Sequence, residues 1–156
     1  MSKSRKTEVG FVETTGWFSL AGLFIPGFTA IGIQGLNSLI VLFGFECSDA
    51  WNVLFRFTSA GCILAPWLFF RFIQRTSLSN ETLNKWLMLF NTIEYTFLQA
   101  SIASFLTNGK TLCYGPDGQN GLEFVFTGWF AIPVLFLLSI LFQQVQKAKM
   151  EQAELE

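Results

Sequence analysis

Charged residues are missing from two long stretches of this 156-residue sequence, and their absence restricts the fold more than any other feature. No charged residue occurs from Thr14 to Phe45, a run of 32, or from Phe124 to Gln146, a run of 23. A helix needs about 20 mostly apolar residues to cross the hydrocarbon core of a bilayer. Each stretch is therefore long enough to form a membrane-spanning helix.

Two further segments have the same character. Residues 51–73 are uncharged in their central part, and residues 86–107 are interrupted only by Glu94. Together with the first two stretches they predict an all-α, integral membrane four-helix bundle that forms one membrane domain over residues 1–156. The predicted spans are residues 16–45, 51–73, 86–107 and 124–145, followed by a helical cytoplasmic tail over 146–156.

The composition agrees with a membrane protein and disfavours other classes. Charged residues make up 13% of the chain and apolar residues 51%, whereas a soluble domain carries about 25% charged residues. A soluble domain of this size keeps much of its surface in water, so it cannot hide this much apolar area. The composition therefore excludes a soluble enzyme domain, a disordered chain and a nucleic-acid binder.

The sequence also offers little material for catalysis. It has no histidine, which removes most metal and proton-shuttle chemistry. It has no glycine-rich phosphate loop and no Gly-x-Ser-x-Gly elbow. We therefore expect no enzyme activity, no metal and no cofactor.

The first span is too long for one straight crossing, because 30 helical residues extend about 45 Å against a core of about 30 Å. Pro26 and Gly27 provide a natural break, so this span is predicted to be long and kinked near Pro26. Our interpretation is an interfacial stretch over residues 11–25 followed by a spanning helix over 28–45. A tilted, kinked single helix is the alternative. A cleaved signal peptide is not expected, since the apolar run exceeds the usual h-region.

Lysine and arginine residues set the predicted orientation through the positive-inside rule. Eight of the ten lie on one predicted side, Lys110 lies on the other, and Arg56 lies within the second span. The eight are Lys3, Arg5, Lys6, Arg71, Arg75, Lys85, Lys147 and Lys149. We therefore expect an integral protein of the bacterial inner membrane with both termini in the cytoplasm. The loops over residues 46–50 and 108–123 then face outside.

The three cysteines divide according to this topology. Cys47 and Cys113 fall in the two external loops, on the oxidising side where disulfides persist, so we predict a structural disulfide between them. Unpaired thiols or pairing with another chain are the alternatives. Cys62 lies within the second span, where it serves as a small apolar packing residue. A disulfide-relay enzyme is disfavoured because the chain has no Cys-x-x-Cys pair.

Glu94 lies close to the predicted membrane midplane, where a charged carboxylate costs about 2.5–3.5 kcal/mol on insertion scales. It must face the bundle interior, find a partner or stay protonated. Other polar residues are predicted to share its depth and form an intramembrane polar cluster with it. The predicted cluster comprises Glu94, Gln34, Asn37, Asn91, Tyr95, Gln99 and Arg56. Because Arg56 lies about 12 Å nearer the outer face, it is expected to snorkel outward rather than pair directly.

Three interpretations of this cluster remain open. It fixes helix register through interhelical hydrogen bonds, it binds a proton, ion, lipid headgroup or small substrate, or it contacts a partner protein within the membrane. Small residues also recur at helical spacing in three spans, which favours close helix packing. They are Gly27, Gly32 and Gly35, then Gly61 and Ala65, then Thr96, Ala100 and Ser104.

The leading hypothesis is a non-enzymatic accessory, assembly or inhibitory factor that binds another integral membrane protein or itself, surrounded by membrane lipid and without nucleic acid. An immunity protein against a pore-forming toxin is one example of this class. The alternative is an oligomeric small transporter or channel that uses Glu94. An enzyme acting on lipid or quinone ranks last, because no nucleophile, base and orienting partner occur together.

Overall fold

The computed structural model describes residues 10–24, 27–76, 78–114 and 122–155, and these residues form an all-α protein with six helices. The helices are α1 (Phe11–Phe24), α2 (Gly27–Leu42), α3 (Cys47–Arg75), α4 (Asn80–Leu106), α5 (Gly109–Tyr114) and α6 (Leu122–Leu155). The all-α prediction is confirmed.

Helix α4 is the centre of the structure, since α1, α2, α3 and α6 all pack against it. The direction of each helix follows from specific contacts. Thr14 contacts Asn84 and Phe18 contacts Tyr95, so α1 and α4 run in the same direction. Helix α3 runs opposite to α4, because its first residue is joined to α5, which follows α4.

Two ends of the bundle are distinguished by their chemistry. The disulfide end contains the Cys47–Cys113 bond and the start of α6. The basic end contains the C-terminus of α3 and the second half of α6, where the Lys149 ammonium donates hydrogen bonds to the carbonyls of Ile73 and Thr76 at 3.1 and 2.8 Å. These contacts satisfy carbonyls that the end of α3 leaves without helical partners.

The apolar core forms three layers between these ends. The basic-end layer comprises Phe11, Phe69, Ile73, Leu83, Leu87, Phe90 and Phe142. The middle layer comprises Phe18, Tyr95, Leu98, Ala131 and Leu135. The disulfide-end layer comprises Ala30, Ile33, Trp51, Leu54, Phe55, Ala100, Ala103, Leu112 and Phe124. Each layer receives side chains from helices far apart in sequence, so the layers hold the bundle together.

Helix α1 is part of the bundle, because Phe11 is fully buried in the basic-end layer and Phe18 lies in the middle layer. Its placement at the membrane interface stays a prediction. Helix α2 crosses the disulfide-end layer, where it buries Ala30 and Ile33. The axes of Phe11–Phe24 and Thr29–Leu42 differ by 78°. The kink predicted at Pro26 falls outside the described residues.

Two helices are by themselves long and apolar enough to cross a membrane: Cys47–Arg75 and the Phe124–Gln152 part of α6. Helices α1 and α2 pass this test only as a bent pair. Helix α4 has 27 residues, which is sufficient length, but the polar residues Asn91, Glu94 and Gln99 lie in its middle, and it does not pass this test. Among the described residues, this test therefore supports two membrane spans, or three if the bent pair is one span.

The predicted disulfide between Cys47 and Cys113 is present, with a Cα–Cα distance of 6.1 Å. A second contact places α5 against the start of α3, because a Cβ on Gly109 would collide with the carbonyl oxygen of Ser48. The bond links positions 66 residues apart. It therefore holds the start of α3 against the connection between α4 and α6.

Reducing this disulfide is expected to lower the free energy of unfolding by about 2–4 kcal/mol, because the long closed loop loses its constraint. Peptide mapping without reductant should recover Cys47 and Cys113 in one linked species, and thermal unfolding in detergent should measure the loss. Cys62→Ser is the control and should keep the bond. Recovery of Cys62 in a mixed disulfide with either partner would contradict the assignment.

Candidate functional site

The polar face of α4 meets the other helices in the middle of the bundle. Asn91, Glu94, Tyr95 and Gln99 are all buried, with Glu94 and Gln99 at 0% exposure. They lie within about two helical turns, so they occupy one level of the structure. The structure brings these four predicted residues together inside the bundle.

Two members of this group have hydrogen-bond partners on neighbouring helices. The Asn91 side-chain amide donates to the Thr15 hydroxyl of α1 at 3.1 Å. The Gln99 side-chain amide donates to the Phe124 carbonyl of α6 at 2.8 Å. Such bonds are worth roughly 0.6–2 kcal/mol each between helices in a membrane. They therefore fix the register of α1 and α6 against α4.

Several oxygen atoms at the same level have no partner among the described residues. They are both carboxyl oxygens of Glu94, the hydroxyls of Tyr95 and Ser19, and the side-chain carbonyl of Gln99. Buried polar atoms are nearly always hydrogen-bonded, so each unpaired oxygen needs an explanation. Water, a proton or a bound polar group is the usual one. The buried polar residues of α4 from Asn91 to Gln99, together with Ser19 of α1, are accordingly the candidate functional site.

Two glycines make room for Tyr95. A Cβ on Gly22 of α1 would lie 3.5 Å from the Tyr95 hydroxyl, and one on Gly128 of α6 would collide with it. Tyr95 itself is 1% exposed and stacks edge-on against Phe18, with ring centroids 5.8 Å apart. The hydroxyl therefore lies between the backbones of two helices.

Glu94 faces a different neighbour from Tyr95, since adjacent helical residues point about 100° apart. Its carboxyl group lies near the Cys62 thiol of α3, and that thiol in turn lies near Ser101. Ser101 and Ser59 contact each other with their hydroxyl oxygens 3.0 Å apart. The carboxyl group of Glu94 therefore lies at the α3–α4 interface.

The remaining predicted members lie elsewhere. Gln34 and Arg56 are exposed, so they are not part of the buried cluster. Asn37 is 8% exposed and shares a face with Ala30 and Ile33 of the disulfide-end layer. We expected Gln34 and Asn37 to share one inward face because they are three residues apart. They do not, because α2 lies at the edge of the bundle and buries only a narrow stripe.

Sequence analysis missed the contribution of α1. Thr15, Ser19 and Gly22 recur at spacings of four and three residues, which is one helical face, and all three are buried. This pattern was a usable signal. It was overlooked because α1 was assigned to the membrane interface.

The side chains of this group are suited to binding a proton or a polar ligand. Among the described residues, no three His, Cys, Asp or Glu side chains are grouped so as to hold a metal ion. The cluster brings together one carboxyl group with hydroxyls, amides and a thiol. A carboxyl without a hydrogen-bond partner can take up a proton without disrupting any existing bond.

Gly128→Ala is expected to reduce the unfolding free energy by about 1–3 kcal/mol, because its methyl group must displace the tightly packed Tyr95. Thermal unfolding in detergent measures the change. Gly32→Ala is the matched control, since nothing lies within 4 Å of its added Cβ. It should be neutral or stabilising by up to about 1 kcal/mol. Equal losses at both positions would contradict the close packing around Tyr95.

No family model, curated protein or solved structure matches this chain. Its function is therefore inferred from the geometry of the described residues.

Proposed function

We propose that this protein is a four-span protein of the bacterial inner membrane that binds another integral membrane protein, or a second copy of itself, as a non-enzymatic accessory, assembly or inhibitory factor. In this proposal the basic end faces the cytoplasm. The observation that carries the proposal is the exposed, glycine-bearing face of α2.

Membrane placement is supported by the outer surface of the bundle as well as by the two long apolar helices. Large apolar side chains remain exposed in every part of the described chain, including Phe24 at 84%, Phe43 at 83% and Phe105 at 85%. Contiguous apolar surface of this kind marks a membrane or protein contact. Contact with lipid covers this apolar surface without requiring a larger protein core.

The relatively polar α4 also fits a four-span arrangement. It is surrounded by α1, α2, α3 and α6, so its polar side chains need not face lipid. Polar residues in membrane helices normally face the bundle interior. Together, α1 and α2 carry the chain from the basic end to the disulfide end and complete the fourth crossing.

The distribution of charge supports the orientation. The described basic residues at the basic end are Arg71, Arg75, Lys85, Lys147 and Lys149, whereas Lys110 lies at the disulfide end. Such an excess of Lys and Arg is typical of the cytoplasmic side. The disulfide then lies on the oxidising side.

The exposed face of α2 supports partner binding. Gly32 and Gly35 are exposed, and an added Cβ at either position would meet nothing within 4 Å. Ile31 and Leu39 beside them are 72% and 52% exposed. Paired glycines allow a second helix to approach closely in a membrane. Because α2 is steeply inclined to α1, this face is presented at the edge of the bundle.

Gly35→Leu is expected to weaken partner binding about tenfold, equivalent to about 1.4 kcal/mol, because the larger side chain prevents close approach. The measurement is the stoichiometry of the complex purified in mild detergent, with the partner identified by mass. Ala60→Leu is the matched control, since it enlarges an exposed residue on α3. Purification of the wild-type protein as a lone monomer, or equal losses in both variants, would argue against the proposal.

A second candidate function is an oligomeric transporter or channel, and the unpaired carboxyl of Glu94 favours it. Membrane ionisable residues often mark ion pathways. Glu94→Gln should abolish the pH dependence of flux in proteoliposomes, whereas Glu81→Gln, on the surface at the basic end, should not. Unchanged flux in Glu94→Gln would remove this candidate.

A further inference from the structure

Small polar side chains line the outer half of the α3–α4 interface. The hydroxyls of Ser59 and Ser101 are 3.0 Å apart, and the Ser104 hydroxyl donates to the Ser101 carbonyl at 2.6 Å. Cys62 lies near Ser101 and one helical turn from Ser59 on α3. All four residues are partly exposed. We call these four residues the polar seam. It lies between the disulfide end and the middle layer.

Glu94 lies at the inner limit of the polar seam. It shares the face of α4 that carries Ser101, seven residues or two turns away, which is about 10.5 Å along the helix. Cys62 lies close enough to interact electrostatically with its carboxyl group. Both carboxyl oxygens are buried without a hydrogen-bond partner among the described residues.

Aromatic rings close the same interface on the basic side of Glu94. Phe90 lies one turn from Glu94, with its ring centroid 4.6 Å from that of Phe69 and 5.2 Å from that of Phe142. Phe69 and Phe142 are 5.0 Å apart. This three-helix contact excludes water from the direct continuation of the seam.

Polar side chains also lie between α1 and α4, but they leave no open route from Glu94 to the basic end. Thr15 and Asn91 are 0% and 1% exposed and are hydrogen-bonded to each other. Closer to the basic end, Thr14 is paired with Asn84. These side chains fill the interface and use their polar groups on each other.

We propose that Glu94 is a proton-binding site that exchanges protons with the disulfide end through the polar seam and is closed toward the basic end by the rings of Phe69, Phe90 and Phe142. Proton binding converts the carboxylate into a neutral carboxylic acid and requires one oxygen. A metal ion requires several oxygens at once, six to eight for Ca²⁺, which favours the proton. The proposal rests on the membrane placement proposed above but not on a protein partner.

Few titratable groups surround Glu94 within the described residues. Cys62 faces it from α3, and Tyr95 is its neighbour on α4. The described charged residues of α1 and α6 are Glu13, Lys147, Lys149 and Glu151, all toward the basic end, and α2 has none. The charge of Glu94 therefore dominates the potential in the inner part of the seam.

Cys62 provides a natural probe, because it is the free cysteine and lies in the seam. The Cys62 thiolate attacks the sulfur of a methanethiosulfonate reagent, which forms a mixed disulfide and releases methanesulfinate. Labelling requires water, because the thiol must first lose its proton. We expect the cationic trimethylammonium-ethyl reagent, added at the disulfide end of the full-length protein in membranes, to label Cys62. After each rate is divided by that reagent's rate with a free thiol in solution, the cationic reagent should react about tenfold faster than the anionic sulfonatoethyl reagent, because Glu94 attracts the cation. Labelling from the basic end should be absent.

Variants distinguish this site from a lipid-exposed thiol. Glu94→Gln should bring the ratio of cationic to anionic rates close to one. Ser101→Leu should slow both reagents by filling the seam, while Thr92→Leu, on another face of α4, should not. Cys62→Ser gives the background. Equal labelling from both ends, or an unchanged ratio in Glu94→Gln, would overturn the proposal.

Two further measurements distinguish a failure of the proton-binding site from a failure of the membrane placement. In the wild-type protein the ratio of cationic to anionic rates should fall toward one as the pH is lowered, since protonation removes the charge of Glu94. A ratio that stays constant with pH would contradict the proton-binding site without the need for a variant. Cysteine-independent epitope tags on both termini test the membrane placement. Tags on opposite sides would overturn the placement, whereas correct tags with failed labelling would overturn only the proton site.

Discussion

A polar helix at the centre of an apolar assembly is the constraint on which the rest of this structure depends. Helix α4 carries Asn91, Glu94, Tyr95 and Gln99, which are expensive to expose to lipid. The four other long helices surround it and leave their apolar faces outside. The arrangement differs from that of a water-soluble bundle, because the polar middle of α4 is enclosed while large apolar side chains of its neighbours are exposed.

Close approach of the helices depends on small residues placed opposite large ones. Gly22 and Gly128 accommodate Tyr95, while a Cβ on Gly61 would collide with the Phe97 ring. Each pair places an aromatic side chain on α4 against glycine on a neighbour. Packing of this kind is how membrane helices gain contact area where there is no hydrophobic force between them. It explains why glycine in these helices contributes to specificity despite its low helix propensity.

The sequence was most informative where one physical effect dominated. The long uncharged stretches predicted the helices. The charge asymmetry predicted that Cys47 and Cys113 lie on the same side of the membrane, where they can form a disulfide. The exposure of Gln34 and the packing of α1 into the bundle were not predictable in the same way. Apolar content does not distinguish a helix in the core from one at the edge. Only tertiary contacts show that Thr15 meets Asn91 while Gln34 faces outward.

Helix α6 extends without interruption over 34 residues, or about 51 Å, and is therefore longer than a bilayer core of about 30 Å. The two hydrogen bonds from Lys149 to the end of α3 hold this rod beside α3 at the basic end. Because both bonds come from one ammonium group, the ends of α6 and α3 are coupled, and neither can move away from the other without breaking them.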